Sequence, residues 1–82
     1  MKAQPTRQNV IAIIEQLRHG IISRDYVSKW AFSIIDDPDV FIPDKLLWNV
    51  IQNLGAVDLS APDREYLYEN IDFDDWLDSL KT

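Results

Sequence analysis

One apolar spacing recurs four times along this chain of 82 residues and constrains its fold more than any other feature. Apolar residues lie at positions i, i+3, i+4 and i+7, the spacing that lines one face of an α-helix. The pattern predicts four helices, over about residues 6–19, 23–36, 44–54 and 72–81. The four sets are Val10, Ile13, Ile14 and Leu17; Val27, Trp30, Ala31 and Ile34; Leu47, Val50, Ile51 and Leu54; and Phe73, Trp76, Leu77 and Leu80.

Residues that favour helix ends support these bounds. Ser23 and Asp44 precede the second and third helices, where a short polar side chain caps the first turn. Gly20 and Gly55 follow the first and third helices, where glycine is a common C-terminal cap. The local signals therefore agree with the periodicity.

The fourth helix carries a different start signal. Asp72, with Asp75 three residues later, resembles a capping box. Trp30 and Trp76 fall on the apolar faces, so we expect both indole rings in the core.

A chain of this length supports one core, so we expect a single all-α domain over residues 1–82, a compact four-helix fold. A long loop precedes the last helix, because the segment from Gly55 to Ile71 has 17 residues. Compact domains seldom leave so long a segment without structure. We expect a short helical turn near Ser60 and Asp63, with Leu67 and Tyr68 folded back onto the core.

Composition narrows the range of functions. The chain has no cysteine, which excludes disulfides, thiolate metal sites and a cysteine nucleophile. His19 is its one histidine, and its place beside Gly20 suits a helix C-terminus, so we expect no enzyme activity. The aspartate runs at 36–39 and 72–75 lack the spacing of a calcium loop, so no metal or cofactor is expected. The longest apolar run has five residues, which predicts no membrane span and a cytoplasmic protein.

Charge is divided unevenly between the two halves of the chain. Residues 1–35 hold five basic and two acidic side chains, a net charge of +3, whereas residues 36–82 hold three basic and twelve acidic ones, a net charge of −9. An acidic surface repels phosphate and attracts basic partners. We therefore expect a protein partner, itself basic, and no nucleic acid; the sequence does not specify an oligomeric state.

The acidic segment from Asp58 to Asp78 is the predicted contact surface, because it combines eight carboxylates, one arginine and two tyrosines. Glu65, Glu69 and Asp74 have no evident structural role in the sequence. The predicted partner-binding residues are Asp63, Arg64, Glu65, Tyr66, Tyr68, Glu69 and Asp74.

An alternative interpretation is a helix-turn-helix DNA-binding regulator. The first helix, the short turn at Gly20 and the second helix have the form of such a unit, and this is the basic half of the chain. Arg24 and Lys29 would contact DNA. Asp25 and Tyr26 oppose this interpretation, because they occupy the positions that should face the bases.

Several segments resemble small bacterial proteins, some of them encoded beside polymorphic or contact-dependent toxins. The segments are Gly20–Ala31, Leu59, Asp63–Tyr68, Asp72–Phe73 and Trp76–Leu77. The resemblance implies an immunity protein that binds and neutralises a cognate toxin, often a nuclease. A protein-binding module of this kind is the first functional hypothesis, and helix-turn-helix regulation is the second.

Overall fold

Four α-helices make up the regular structure, and each of the first three begins beside a side chain that caps it. The computed structural model describes residues 5–81. The helices are α1 (Arg7–Arg18), α2 (Arg24–Ile35), α3 (Lys45–Leu54) and α4 (Asn70–Lys81). Thr6, Ser23 and Asp44 each accept a hydrogen bond from the backbone N–H three residues ahead, which satisfies a donor that the helix leaves unpaired. The all-α prediction is confirmed, with every bound within two residues of the expected one.

α4 begins earlier than the sequence predicted, because Asp72 acts from inside the helix. Its Oδ2 accepts a hydrogen bond of 2.8 Å from the backbone N–H of Glu69, the residue just before the helix. The Glu69 carbonyl in turn accepts from the N–H groups of Asp72 and Phe73. The predicted capping box with Asp72 at the cap and Asp75 behind it is therefore wrong: the carboxylate reaches back to the cap instead.

The core lies where two helix pairs meet. α1 packs mainly on α4 and α2 mainly on α3, while α3 also contacts α1 and α4. Phe73 is the largest fully buried side chain. Trp30 and Trp76 only flank this core and remain half-buried, contrary to the prediction, because each stands at the edge of its apolar face. The buried apolar residues are Val10, Ile14, Leu17, Val27, Ala31, Ile34, Leu47, Val50, Ile51, Leu54, Val57, Phe73, Leu77 and Leu80.

The turn between α1 and α2 depends on Gly20, whose φ of +74° lies in the left-handed region that favours glycine. The N–H of Gly20 donates to the Leu17 carbonyl at 3.1 Å, and the N–H of Ile21 donates to the Gln16 carbonyl at 2.9 Å. These bonds satisfy carbonyls that the end of α1 would leave unpaired. The predicted glycine cap is confirmed.

α2 and α3 are joined by a buried polar contact as well as by apolar packing. The Ser28 hydroxyl on α2 donates at 2.8 Å to the carbonyl of Gly55, the residue that ends α3. Phe32 and Ile35 of α2 lie beside the same glycine. The end of α3 is therefore held firmly against α2.

The long connection before α4 is ordered without forming a helix. Arg64 N–H donates to the Ala61 carbonyl at 3.4 Å, which closes a tight turn, and Leu67 N–H donates to the Leu59 carbonyl at 2.9 Å. The short helical turn expected near Ser60 and Asp63 is thus wrong, since backbone pairing across the turn takes its place. Tyr68 packs against the core as expected.

Candidate nucleic-acid interface

Arg24 is held inside the fold. Its Nη1 donates to the carbonyls of Val57 and Tyr68 at 2.7 and 2.8 Å, and its guanidinium lies 3.9 Å from the centre of the Tyr66 ring. These contacts clamp the long connection to the first turn of α2. Arg24 was expected to contact DNA in the helix-turn-helix interpretation, but its Nη1 donates to the protein's own backbone.

The predicted partner-binding residues differ in what surrounds them. Glu65, Tyr66 and Glu69 line a cavity of about 450 Å³ together with Arg24, Asn70 and Ile71. Asp63 and Arg64 lie at the tip of the preceding turn, with a carboxylate oxygen 4.0 Å from the arginine Nε.

Tyr68 and Asp74 have structural contacts of their own. The Tyr68 ring meets Trp76 edge to face at a centroid distance of 5.0 Å, and its hydroxyl lies 3.4 Å from the Asn53 side-chain oxygen. Asp74 accepts a hydrogen bond of 2.6 Å from Arg18, which joins α4 to the end of α1. The interpretation of Asp74 as a residue without a structural role is therefore wrong.

Ion pairs occupy several of the basic side chains. Arg7 binds both carboxylate oxygens of Asp44, at 2.7 and 3.2 Å, and Lys81 lies 3.2 Å from Glu15. The hydrogen bond from Arg7, helped by the backbone N–H of Leu47, lowers the pKa of Asp44. The hydrogen bond to Asp44 likewise raises the pKa of Arg7 against the opposing effect of desolvation. Each pair joins distant segments of the chain and reduces the positive charge that faces outward.

The exposed face of α2 carries one lysine next to a carboxylate. The Lys29 ammonium lies 3.0 Å from Asp25, four residues earlier on the helix, and the two side chains are 78% and 67% exposed. Tyr26 is also exposed on this helix. Lys29 can therefore bind a phosphate only when its ion pair with Asp25 is broken.

α3 presents a different surface. Lys45, Asn49 and Gln52 are exposed, four and three residues apart, and they lie on the face opposite the buried apolar residues. None of the three side chains forms a hydrogen bond or ion pair within residues 5–81. We call this set the α3 polar face.

The sequence interpretation missed the α3 polar face because it averaged charge over each half of the chain. α3 falls in the acidic half, yet residues 45–57 contain no acidic residue at all. Counting charge helix by helix would have found this segment, because α1, α2 and α4 each contain at least one carboxylate.

Residues 5–81 contain neither a membrane-spanning helix nor a cluster of metal-ligating side chains. No helix there combines the length and apolarity needed to cross a bilayer. No cluster of three or more histidine, cysteine, aspartate or glutamate side chains in that range is placed to hold a metal ion.

Comparison with known proteins identifies a family. The family model of the YxzC DNA-binding protein matches residues 3–80. A Bacillus subtilis (strain 168) relative, the uncharacterized protein YxzC, is 31% identical over 74 residues, which cover 84% of this chain and 59% of that protein. The chain thus spans about three fifths of the length of this relative. No solved structure matches.

The family match corrects the first functional hypothesis. The resemblance to toxin-associated immunity proteins is wrong, since the matching family is described by DNA binding and has no link to toxins or their inhibitors. The expectation of a basic protein partner with no nucleic acid fails on the same finding. Net charge is a weak guide to a partner because it sums over the whole surface, whereas a partner meets only the charges near its contact area.

Proposed function

The chain belongs to the YxzC DNA-binding protein family, and from this premise we propose that it binds double-stranded DNA through α2 and α3. The family match over residues 3–80 is the observation that carries the proposal. The protein would act in the cytoplasm by binding rather than by catalysis. This is the DNA-binding alternative drawn from the sequence, but with the proposed contacts on α2 and α3 instead of on the unit formed by α1 and α2.

Local charge makes this binding possible despite the net charge of −6. Phosphate responds mainly to charges within a Debye length, about 8 Å at physiological salt. Lys29 and Lys45 are exposed on helices that pack against each other, and Lys45 has no ion-pair partner in the described part of the chain. Two exposed lysines can displace few counterions from DNA, so affinity should depend only modestly on salt.

The test is fluorescence anisotropy of a labelled duplex titrated with the full chain over a salt series. If both lysines lie against the DNA and each displaces about one counterion, the logarithm of the binding constant should fall with the logarithm of salt with a slope of about −2. Lys45→Ala should reduce that slope by about one. Lys81→Ala is the matched control, because it removes the same charge from a lysine that pairs with Glu15 on the α1–α4 side of the molecule.

Two results would contradict the proposal. One is the absence of saturable binding at low salt by a chain that circular dichroism shows to be folded. The other is an equal loss of affinity in Lys45→Ala and Lys81→Ala, which would mean that only net charge matters.

Asp25 provides a second test with the opposite sign. Asp25→Asn removes the carboxylate that lies 3.0 Å from Lys29, so the lysine is released to bind phosphate and affinity should rise. Asp58→Asn makes the same change of charge at an exposed aspartate of the long connection that has no ion-pair partner among residues 5–81, and it serves as the control. An equal rise in both variants would exclude a specific role for Lys29.

A further inference from the structure

α3 is the helix with the greatest capacity for contacts to bases, and this inference rests on the proposed function. We propose that the α3 polar face enters the major groove, where Lys45 binds guanine and Asn49 and Gln52 bind adenine. Among the four helices of residues 5–81, α3 is the one without an acidic residue. Its outward face therefore meets the negative potential of the groove without repulsion.

The hydrogen-bonding groups match particular base edges. A side-chain amide offers one acceptor and two donors, which pair with the N6 amino group and the N7 of adenine. A lysine ammonium offers donors to O6 and N7 of guanine. Asn49 and Gln52 keep these groups available, whereas the amides of Asn9 and Asn53 are occupied by the cap of α1 and by Tyr68.

The spacing suits a short run of base pairs. Lys45 and Gln52 are seven residues apart, which corresponds to about 10 Å along a helix axis. Base pairs of B-DNA are about 3.4 Å apart, so the face spans roughly three of them. Because the opposite face of α3 is buried in the core, the three side chains project from a fixed support.

α2 is less suited to base contacts. Its exposed lysine is paired with Asp25, and that carboxylate is 67% exposed at the start of the helix, the part that meets the bases in helix-turn-helix proteins. We therefore assign phosphate contact to α2 and base contact to α3.

The first experiment finds the preferred sequence. The full chain selects from a pool of duplexes with a randomised centre of about 12 base pairs, and the selected duplex is then used for anisotropy. We expect a motif with a guanine and neighbouring adenines. Asn49→Ala and Gln52→Ala should each weaken binding to this duplex by roughly 5- to 150-fold and relax the preference at one position. Gln16→Ala, an exposed amide on α1, is the matched control and should change little.

The second experiment probes the contacted atom. Replacing a selected adenine by 7-deazaadenine removes the N7 acceptor and should weaken binding of the unmodified protein. The same replacement should have no further effect on the variant that lacks the contacting amide. Loss of equal size in protein and variant would overturn the assignment for that side chain.

The outcomes separate this inference from the proposed function. A folded chain that binds DNA but selects no motif, or whose motif and affinity survive Asn49→Ala and Gln52→Ala, overturns the base contacts and leaves DNA binding standing. A folded chain that binds no duplex overturns both. Far-ultraviolet circular dichroism of each variant ensures that a loss reflects contact rather than unfolding.

Discussion

Arg24→Met is expected to destabilise the fold by about 2–3 kcal/mol, because it removes the clamp on the long connection while keeping an apolar stem of similar length. The native guanidinium donates to the carbonyls of Val57 and Tyr68 at 2.7 and 2.8 Å and stacks 3.9 Å from the Tyr66 ring. A hydrogen bond from a charged donor contributes about 1.5–3 kcal/mol, and a cation–π contact at a partly exposed site about 0.5–1 kcal/mol. Because Arg24 is only half-buried, water can hydrogen-bond to the two carbonyls in the variant. The expected loss of stability is therefore smaller than the sum of the two hydrogen bonds and the cation–π contact.

Urea denaturation followed by circular dichroism at 222 nm measures this free energy. For a domain of this size the same loss lowers the melting temperature by roughly 10–20 °C. Lys29→Met on the same helix is the control, and its 78% exposed side chain predicts a change within about 0.5 kcal/mol. A loss below about 1 kcal/mol for Arg24→Met, or one equal to that of the control, would refute the clamp.

Three further predictions concern the core, the first turn and pH. Phe73→Ala should lower the free energy of unfolding by about 3–5 kcal/mol, as expected for a buried aromatic residue. A urea midpoint close to that of the unmodified chain would contradict the burial of Phe73. Gly20→Ala should lower the free energy of unfolding by about 1–2 kcal/mol, because a residue with a side chain is strained at a φ of +74° even though the space around it is open. Thermal melting measures this loss, and an unchanged melting temperature would show that the turn adapts to alanine without strain. Because the pKa of Asp44 is lowered in the folded chain by Arg7, its contribution to stability is present above the ordinary pKa of 3.8 and is lost as the pH falls through the lower folded value. Urea midpoints measured from pH 5 down to pH 2 should therefore fall less steeply for Asp44→Asn than for the unmodified chain. Parallel curves for the two proteins would show that the Arg7–Asp44 pair does not cause the loss of stability at low pH.

The helices could be predicted because their determinants are local. A cap such as Ser23 acts on an N–H three residues away, and the apolar spacing repeats within two helical turns. The same local rules misplaced the start of α4, where a carboxylate inside the helix was mistaken for one in front of it. They also placed Trp30 and Trp76 in the core, because a pattern identifies the face of a helix but not how far a wide ring at its edge is covered.

The candidate interface was only partly accessible to sequence. The absence of acidic residues from 45 to 57 is visible in the chain, but the exposure of Asn49 and Gln52 depends on which side of α3 packs against its neighbours. Tyr66 and Tyr68 looked suited to a partner by residue type. Within the fold, the Tyr66 ring contacts Arg24 and the Tyr68 ring contacts Trp76, neighbours that no local rule would place beside them.

The amino-acid sequence by itself determined where the helices lie and how much charge each part of the chain carries, because helix formation depends on residues a few positions apart and charge is counted from the side chains themselves. Tertiary structure alone decided which of those charges face outward. Arg7 meets Asp44 across 37 residues and Arg18 meets Asp74 across 56, while Arg24 turns to backbone carbonyls. A cation is most available to a ligand when no carboxylate lies within a few ångströms of it, and for Arg7 and Arg18 the packing of α1 against α3 and α4 sets those distances.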